Sequence, residues 1–404
     1  MRAALARLGP VRQLLVREQR TRALASATAA VDLRPPRRRC GSIMGGSVSQ
    51  ERLNNVQDEV LARIAGHTRD VDGVPVAFER VRTVVGEDEG GAEVVHSIEC
   101  HRVDSKATSN AMTATTNNKP IVMLHGYGAG SLLFANNMAR IAQRTGRPVI
   151  AVDWLGCAGS GRPPWIAKNE NEAIDWFIEP LERWREQRGI EKFDVVGHSL
   201  GAYLAAHYAL RGGKNHIDKL VLASPFGLPA RPEDINAQPR SFFFRTILWL
   251  WEQGANPHHL IRGSGFYGRR LVEGFFQNRF GSRTLGFKGL DENDEATNGL
   301  LVDYMYQISA APASGEHALS TIMHPMAYAK RPLVDDLPKI TGMDVMVVFG
   351  SRDWMARDLG SAEHALSQMN SPRNALRVIP GTHHVYLNEV FDDDVTAFFD
   401  GAKR

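Results

Sequence analysis

Residues Gly197-His198-Ser199-Leu200-Gly201 place one serine between two glycines, and they restrict the fold more than any other stretch of the chain. The residues before them, Phe193-Asp194-Val195-Val196, form an apolar run of buried-strand length. The residues after them, 202–210, are Ala-, Leu- and Tyr-rich at helical spacing. A serine on a strand-to-helix turn is held in a strained backbone conformation that lifts its hydroxyl clear of the sheet. The flanking glycines belong where a Cβ would strike neighbouring chain. The pattern therefore predicts a strand at 193–197, a helix at 199–211 and an exposed nucleophile at Ser199.

A serine hydroxyl attacks well only when a base takes its proton. In the α/β-hydrolase arrangement, serine is followed along the chain by an acid and then a histidine. The strand-like run 343–349 leads into Gly350-Ser351-Arg352-Asp353, and Asp353 is the expected carboxylate, with Asp358 the alternative if the loop turns differently. A further strand at 375–379 leads into Pro380-Gly381-Thr382-His383-His384. Neighbouring side chains of an extended segment point opposite ways, so one imidazole of this pair faces Ser199. His383, nearer the Gly381 turn, is the expected base and His384 the alternative. The carboxylate would fix the imidazole tautomer and stabilise the imidazolium. An oxyanion needs two aimed donors. These are expected from the N–H of Leu200 and from that of Tyr127 in the loop His125-Gly126-Tyr127-Gly128-Ala129-Gly130, which follows a strand at 120–124. That loop lacks both the Lys-Ser/Thr of a P-loop and the glycine spacing of a dinucleotide fingerprint. The chemistry calls for no metal and no organic cofactor.

The net charge of +3 hides an asymmetry. Residues 1–46 hold ten arginines against Glu18 and Asp32, a net of +8, which leaves −5 for the rest. The body of the chain thus presents no overall basic surface for nucleic acid. The arginine-rich, acid-poor leader has the composition of an organelle transit peptide, which implies a mitochondrial destination. Alternatively, Met44-Gly45-Gly46-Ser47-Val48-Ser49 fits the myristoylation pattern, and a start there would give a cytoplasmic or lipid-droplet protein. Cys40, Cys100 and Cys157 show neither CxxC nor zinc spacing.

Strands are expected at 75–84, 92–103, 120–124, 148–153, 193–197, 219–223, 344–349 and 375–379. Helices are expected at 51–65, 132–144, 173–188, 199–211, 359–369 and 391–401, with a polar loop over 105–119. Alternation of strand and helix implies a mostly parallel central sheet with helices on both faces. The 224–337 stretch is too long for a loop and is expected to be an inserted, mainly helical cap. The organisation is then leader 1–46, core 47–223, cap 224–337 and core 338–404. The aromatic block 242–251 is too short to span a membrane. It suits either cap core or a lipid interface.

Several motifs together resemble one α/β-hydrolase subfamily. They include His125-Gly126-Tyr127-Gly128, Asp153-Trp154-Leu155-Gly156 with 159–163, Phe177-Ile178 with 181–185, and the serine pentapeptide. The others are Leu260-Ile261-Arg262-Gly263, Asp303-Tyr304-Met305-Tyr306, Ala313-Ser314-Gly315-Glu316 and Asp353-Trp354-Met355. This subfamily contains animal hydrolase-domain proteins four and five, a plant lipid-droplet counterpart and a yeast mitochondrial cardiolipin-specific deacylase. The resemblance implies a phospholipid or lysophospholipid substrate, including phosphatidic acid or cardiolipin types, and peripheral contact with a membrane or droplet. It implies hydrolysis, acyl transfer from acyl-CoA, or a non-catalytic co-activator role. One member carries Asn at the nucleophile position, whereas this chain carries Ser199. A His-x4-Asp motif linked to acyl transfer in the family is incomplete here, because Asn388 stands at that spacing from His383.

Overall fold

A computed structural model describes residues 48–70, 73–88, 91–103, 119–232, 254–280, 295–325 and 327–401. The leader 1–46, most of the polar loop over 105–119 and the aromatic block 242–251 lie outside these residues.

The chain enters through helix α1 (Gln50–Asp70) and a long hairpin of β1 (Val76–Asp88) and β2 (Gly91–Arg102). Then follow β3 (Ile121–Leu124), a 3-10 turn (Ser131–Phe134) continuing into α2 (Ala135–Thr145), and β4 (Val149–Val152). Next come α3 (Glu170–Gln187), β5 (Phe193–His198), α4 (Leu200–Arg211) and β6 (Ile217–Ala223). The core resumes with β9 (Asp344–Gly350), α9 (Leu359–Ser367), β10 (Ala375–Ile379) and α10 (Glu389–Asp400). Between β6 and β9 lie the helices α5 (Pro257–Gly263), α6 (Gly268–Phe280), α7 (Glu295–Ala310) and α8 (Ala318–Ile322). A two-residue-strand hairpin of β7 (Met323–His324) and β8 (Tyr328–Ala329) completes that stretch.

The large sheet runs β1-β2-β4-β3-β5-β6-β9-β10. β1 is antiparallel to β2 and β2 to β4, and every other pairing is parallel. Buried strands with helices on both faces carry apolar side chains to both sides. In β3, Val122 and Leu124 pack into one face with α3 and α4, while Ile121 and Met123 pack into the other with α2 and α10. This alternation follows from the two-residue period of a strand.

The order explains where a site can form. From β3 the chain moves to β4 on one side, then crosses to β5 on the other. Strand order reverses between β3 and β5, and the crevice beyond their carboxyl ends is the usual ligand position of such sheets. The loops after β3 and β5 are those carrying Tyr127 and Ser199.

The expected helix at 132–144 begins instead as a 3-10 turn, because residues 131–134 are tied to the loop before them. Expected at 51–65, α1 runs on to Asp70 and packs against α7. Its Leu53, Val56, Val60 and Ile64 join the same apolar cluster as Leu301, Met305 and Ile308. Polar links flank that seam: Ser49 N–H donates to Gln307 Oε1 at 2.9 Å, Arg52 pairs with Asp303 at 3.2 Å and Arg63 donates to Thr297 Oγ1 at 2.8 Å.

Candidate active site

Ser199 ends β5 and opens α4 with φ +53° and ψ −116°. Its N–H donates to Ala223 O at 2.9 Å, and its carbonyl accepts from Ala202, Tyr203 and Phe226 N–H. These four bonds fix the strained turn from β6 and from the first turn of α4. The glycines leave space for backbone. A Cβ on Gly197 would lie 2.6 Å from Ala202 Cα, and one on Gly201 would lie 2.3 Å from Leu124 O.

His383 lies on the loop after β10 and Asp353 on the turn after β9. His383 Nε2 is 3.0 Å from Ser199 Oγ, and His383 Nδ1 is 3.2 Å from Asp353 Oδ1. Asp353 Oδ1 also accepts the Met355 N–H at 2.9 Å. Burial alone would raise the Asp353 carboxyl. The hydrogen bond and charge of His383 outweigh it, helped by the neighbouring Ser224 hydroxyl and the Met355 N–H, so the group sits below its ordinary value. An ionised Asp353 favours a donating Nδ1–H, which leaves Nε2 free to accept the Ser199 proton.

The alternatives are placed elsewhere. Asp358 is exposed and caps α9, accepting the Ser361 N–H at 3.0 Å. His384 turns to Tyr386, with Nδ1 3.3 Å from its hydroxyl.

The Gly126-Tyr127 turn lies directly beside Ser199, since a Cβ on Gly126 would be 3.0 Å from the Ser199 Cβ. Leu200 N–H is the first of α4 and, like every first-turn donor, has no acceptor within the helix. Neither it nor the Tyr127 N–H meets a backbone acceptor among the described residues. Both donors thus belong to the two turns that meet at Ser199.

Three further residues hold this geometry, and local pattern did not reveal their roles. His198, inside the pentapeptide, donates from Nε2 to the His383 carbonyl at 3.0 Å and so ties the base loop to the elbow. Burial and the adjacent His383 push its pKa down to about 3, so it stays neutral. Asp153, at the end of β4, is fully buried. It accepts from Ser131 N–H at 2.6 Å and Gly159 N–H at 3.0 Å, and it meets His96 Nδ1 at 2.8 Å. Burial would raise its carboxyl, but the bonds and charge from His96, then His125 and Ser131, hold it lower. Asp153 thereby pins the far end of the Tyr127 loop. Its only sequence signal was its place at the carboxyl end of a strand, in the Asp153-Trp154-Leu155-Gly156 motif. Trp354, partly exposed, sets its ring 5.2 Å from that of His383.

A narrow pocket of about 20 Å³ opens from the Tyr127 turn toward α5 and the loop at 315–316. It is lined by Leu200, Trp154, Phe177 and Ile308 on its apolar side and by Tyr127, Arg162, His258 and Glu316 on its polar side. The Tyr127 and His258 rings stack at 5.2 Å.

The serine on its strained turn, the histidine–carboxylate chain and the eight-stranded sheet define a class. Residues 119–390 match the family model described as alpha/beta hydrolase fold, and the chain belongs to that family, within the subfamily of the ABHD5-type proteins. A rice (Oryza sativa subsp. japonica) protein called probable 1-acylglycerol-3-phosphate O-acyltransferase is 34% identical over 279 residues, 67% of this chain and 64% of its own length. Human 1-acylglycerol-3-phosphate O-acyltransferase ABHD5 is 31% identical over 283 residues, 68% of this chain and 75% of its own. A (lyso)-N-acylphosphatidylethanolamine lipase of Bos taurus is 29% identical over 277 residues, 67% of this chain and 75% of its own. The match thus spans slightly less than two thirds of the rice relative. Among solved structures, carboxylesterase CesB of Bacillus subtilis shares the fold with a TM-score of 0.55 at 14% identity, covering 88% of this chain and 99% of that one.

Proposed function

We propose that this chain is a serine acyl-ester hydrolase that cleaves glycerophospholipids or lysophospholipids through an acyl-enzyme. One observation carries the reading: His383 bridges Ser199 Oγ and Asp353 at 3.0 and 3.2 Å, beside two unpaired main-chain donors. Ser199 Oγ attacks the ester carbonyl while His383 Nε2 takes its proton. The Tyr127 and Leu200 N–H groups donate to the oxyanion, and Asp353 stabilises the imidazolium. Collapse breaks the ester bond, and His383 returns the proton to the leaving lysolipid or glycerol oxygen. Water, losing a proton to His383, then attacks the acyl-enzyme and frees the fatty acid. We read 224–337 as a cap over this site, a reading supported by the seat of His258 on Tyr127. The lipid class is supported by the names of the relatives. Contact with a lipid surface is supported by exposed Leu260, Tyr267 and Phe275 on α5, on the turn after it and on α6. We read the basic leader as a mitochondrial targeting segment, and determining the N-terminus of protein isolated from cells tests that against a start at Met44.

Ser199→Ala is expected to lower turnover on a lysophospholipid by several orders of magnitude with the fold intact. Wild-type turnover in the folded variant would end the proposal.

A second reading, acyl transfer from acyl-CoA to a lysophospholipid, draws on the acyltransferase names of the rice and human relatives. Against it, Asn388 caps α10 by accepting the Val390 N–H at 3.0 Å, where the family's acyl-transfer motif has aspartate. Labelled acyl-CoA with lysophosphatidic acid decides, since a diacyl product formed only with acyl-CoA favours transfer. A third reading, a non-catalytic co-activator, gains only if a fluorophosphonate fails to label Ser199 in folded protein.

A further inference from the structure

The polar wall of the pocket holds donors without partners, and Arg262, which donates to the lining residue Glu316, adds another beside it. Among the described residues, Tyr127 Oη, His258 Nδ1 and Arg262 Nη1 are buried without a hydrogen-bond partner. His258 as a whole is 9% exposed. A buried polar group without a partner is costly, and one structure seldom concentrates several in one place without a use for them. Here they gather within electrostatic reach of one another, around Glu316 and Arg162.

The cluster is held together by two arginines and their carboxylates. Glu316 is matched by Arg262, which donates to it directly, and by the Ser314 N–H at 3.0 Å. Arg262 is itself fixed by Nε donating to Ala311 O at 2.7 Å. Among the described residues, Arg162 has no carboxylate within hydrogen-bonding distance. It donates to carbonyls, to Pro312 O at 3.0 Å and Ile308 O at 3.2 Å, and its nearest acid, Glu316, stands 3.9 Å away. Two arginines thus stand beside three idle donors, with Glu316 between them and the Asp153 carboxylate within electrostatic reach of Arg162. Burial keeps His258 neutral, its pKa pushed down to about 4, so it can offer a donor without adding charge. A compact oxyanion with several acceptor oxygens satisfies such a set, and the arginine fork suits phosphate in particular.

We propose that Tyr127 Oη, His258 Nδ1 and Arg262, backed by Arg162, form the subsite for the phosphate of a lipid ester whose acyl carbonyl lies at Ser199. The inference rests on the hydrolase reading above and names the headgroup it selects. The pocket shares Tyr127 and Leu200 with the candidate oxyanion site, so carbonyl and phosphate would occupy two ends of one cleft. In this structure the donors close on about 20 Å³, roughly one water's worth of space. Phosphate entry therefore displaces α5, and headgroup binding is coupled to movement of the segment that carries His258.

The test compares two substrates that differ only in the phosphate, 1-oleoyl lysophosphatidic acid and 1-oleoylglycerol. Wild-type enzyme should prefer the phosphate ester in kcat/KM. Tyr127→Phe and His258→Phe keep the ring stack and remove one donor each, and each should lower that preference about tenfold. Arg262→Lys keeps the charge opposite Glu316 but loses the fork, and it should lower the preference too. Glycerol 3-phosphate, measured by calorimetry, should bind wild-type protein and bind the variants more weakly, whether or not the protein turns over. Preference and binding that all three variants leave unchanged, in protein whose Ser199 still reacts with a fluorophosphonate, would overturn the subsite alone. Loss of that labelling in wild type would overturn the hydrolase reading, with the calorimetry still deciding the subsite. Inorganic phosphate bound as tightly as glycerol 3-phosphate, with no ester preference, would assign the site to free phosphate and overturn the headgroup role.

Discussion

Ser199 sits on a strained backbone that the bonds from β6 and α4 impose. A non-glycine residue at φ +53° occupies sparsely populated backbone space, which costs about 1–3 kcal/mol. Ser199→Gly should therefore stabilise the fold by about 1 kcal/mol while abolishing turnover. Denaturant midpoints would show the gain, and a glycine variant no more stable than wild type would mean the turn is not strained. Asp353→Asn should leave the fold in place and reduce turnover about 10⁴-fold, because the imidazole loses its tautomer control. Asp153 makes a different prediction. Its carboxyl is held below the ordinary value of 3.8, so its stabilisation is complete above that pH and fades as pH falls through the lowered value. Asp153→Asn should cost about 3 kcal/mol near neutrality. The gap to wild type should narrow below about pH 4, as measured by unfolding across pH.

Among elements, the strand–turn–helix around Ser199 was the most legible because its constraints are local. A buried run, a glycine where backbones touch and helix formers in register are all written in consecutive residues. The six inner and following strands β3 to β6, β9 and β10 were nearly as plain as apolar runs bounded by turn residues, whereas the charge-bearing β1 runs on to Asp88, past the expected end at 84. Gly201→Ala is the sharpest test of this element, because a Cβ there meets the Leu124 carbonyl at 2.3 Å. It should cost several kcal/mol or prevent accumulation of soluble protein. The choice between His383 and His384 was only half legible. Alternation says that they diverge, but which one faces the serine depends on the His198 bond to the His383 carbonyl, a contact across 185 positions. The 3-10 start before α2 was hidden for a similar reason, as Asp153 captures the Ser131 N–H from another strand. The stack of His258 on Tyr127 and the packing of α1 on α7 leave no periodic trace in either partner.

At the scale of the molecule, the site stands where strand order reverses, and two layers of buried side chains fix the sheet that carries it. The α1–α7 seam ties the first described helix to the segment between β6 and β9. Exposed ion pairs contribute little, so Arg52→Ala should change stability by less than about 1 kcal/mol. Ile64→Ala removes a side chain only 2% exposed and should cost about 2–5 kcal/mol. Amide exchange in α7 should accelerate far more in the second variant than in the first, and equal acceleration would show that the ion pairs hold the seam. The seam begins at Ser49, whose N–H reaches Gln307. The front of the described chain is therefore joined to α7, the helix that carries Ile308 to the pocket. Loss of Ser49 and the first turns of α1 would take Leu53 and Val56 out of the cluster that α7 shares.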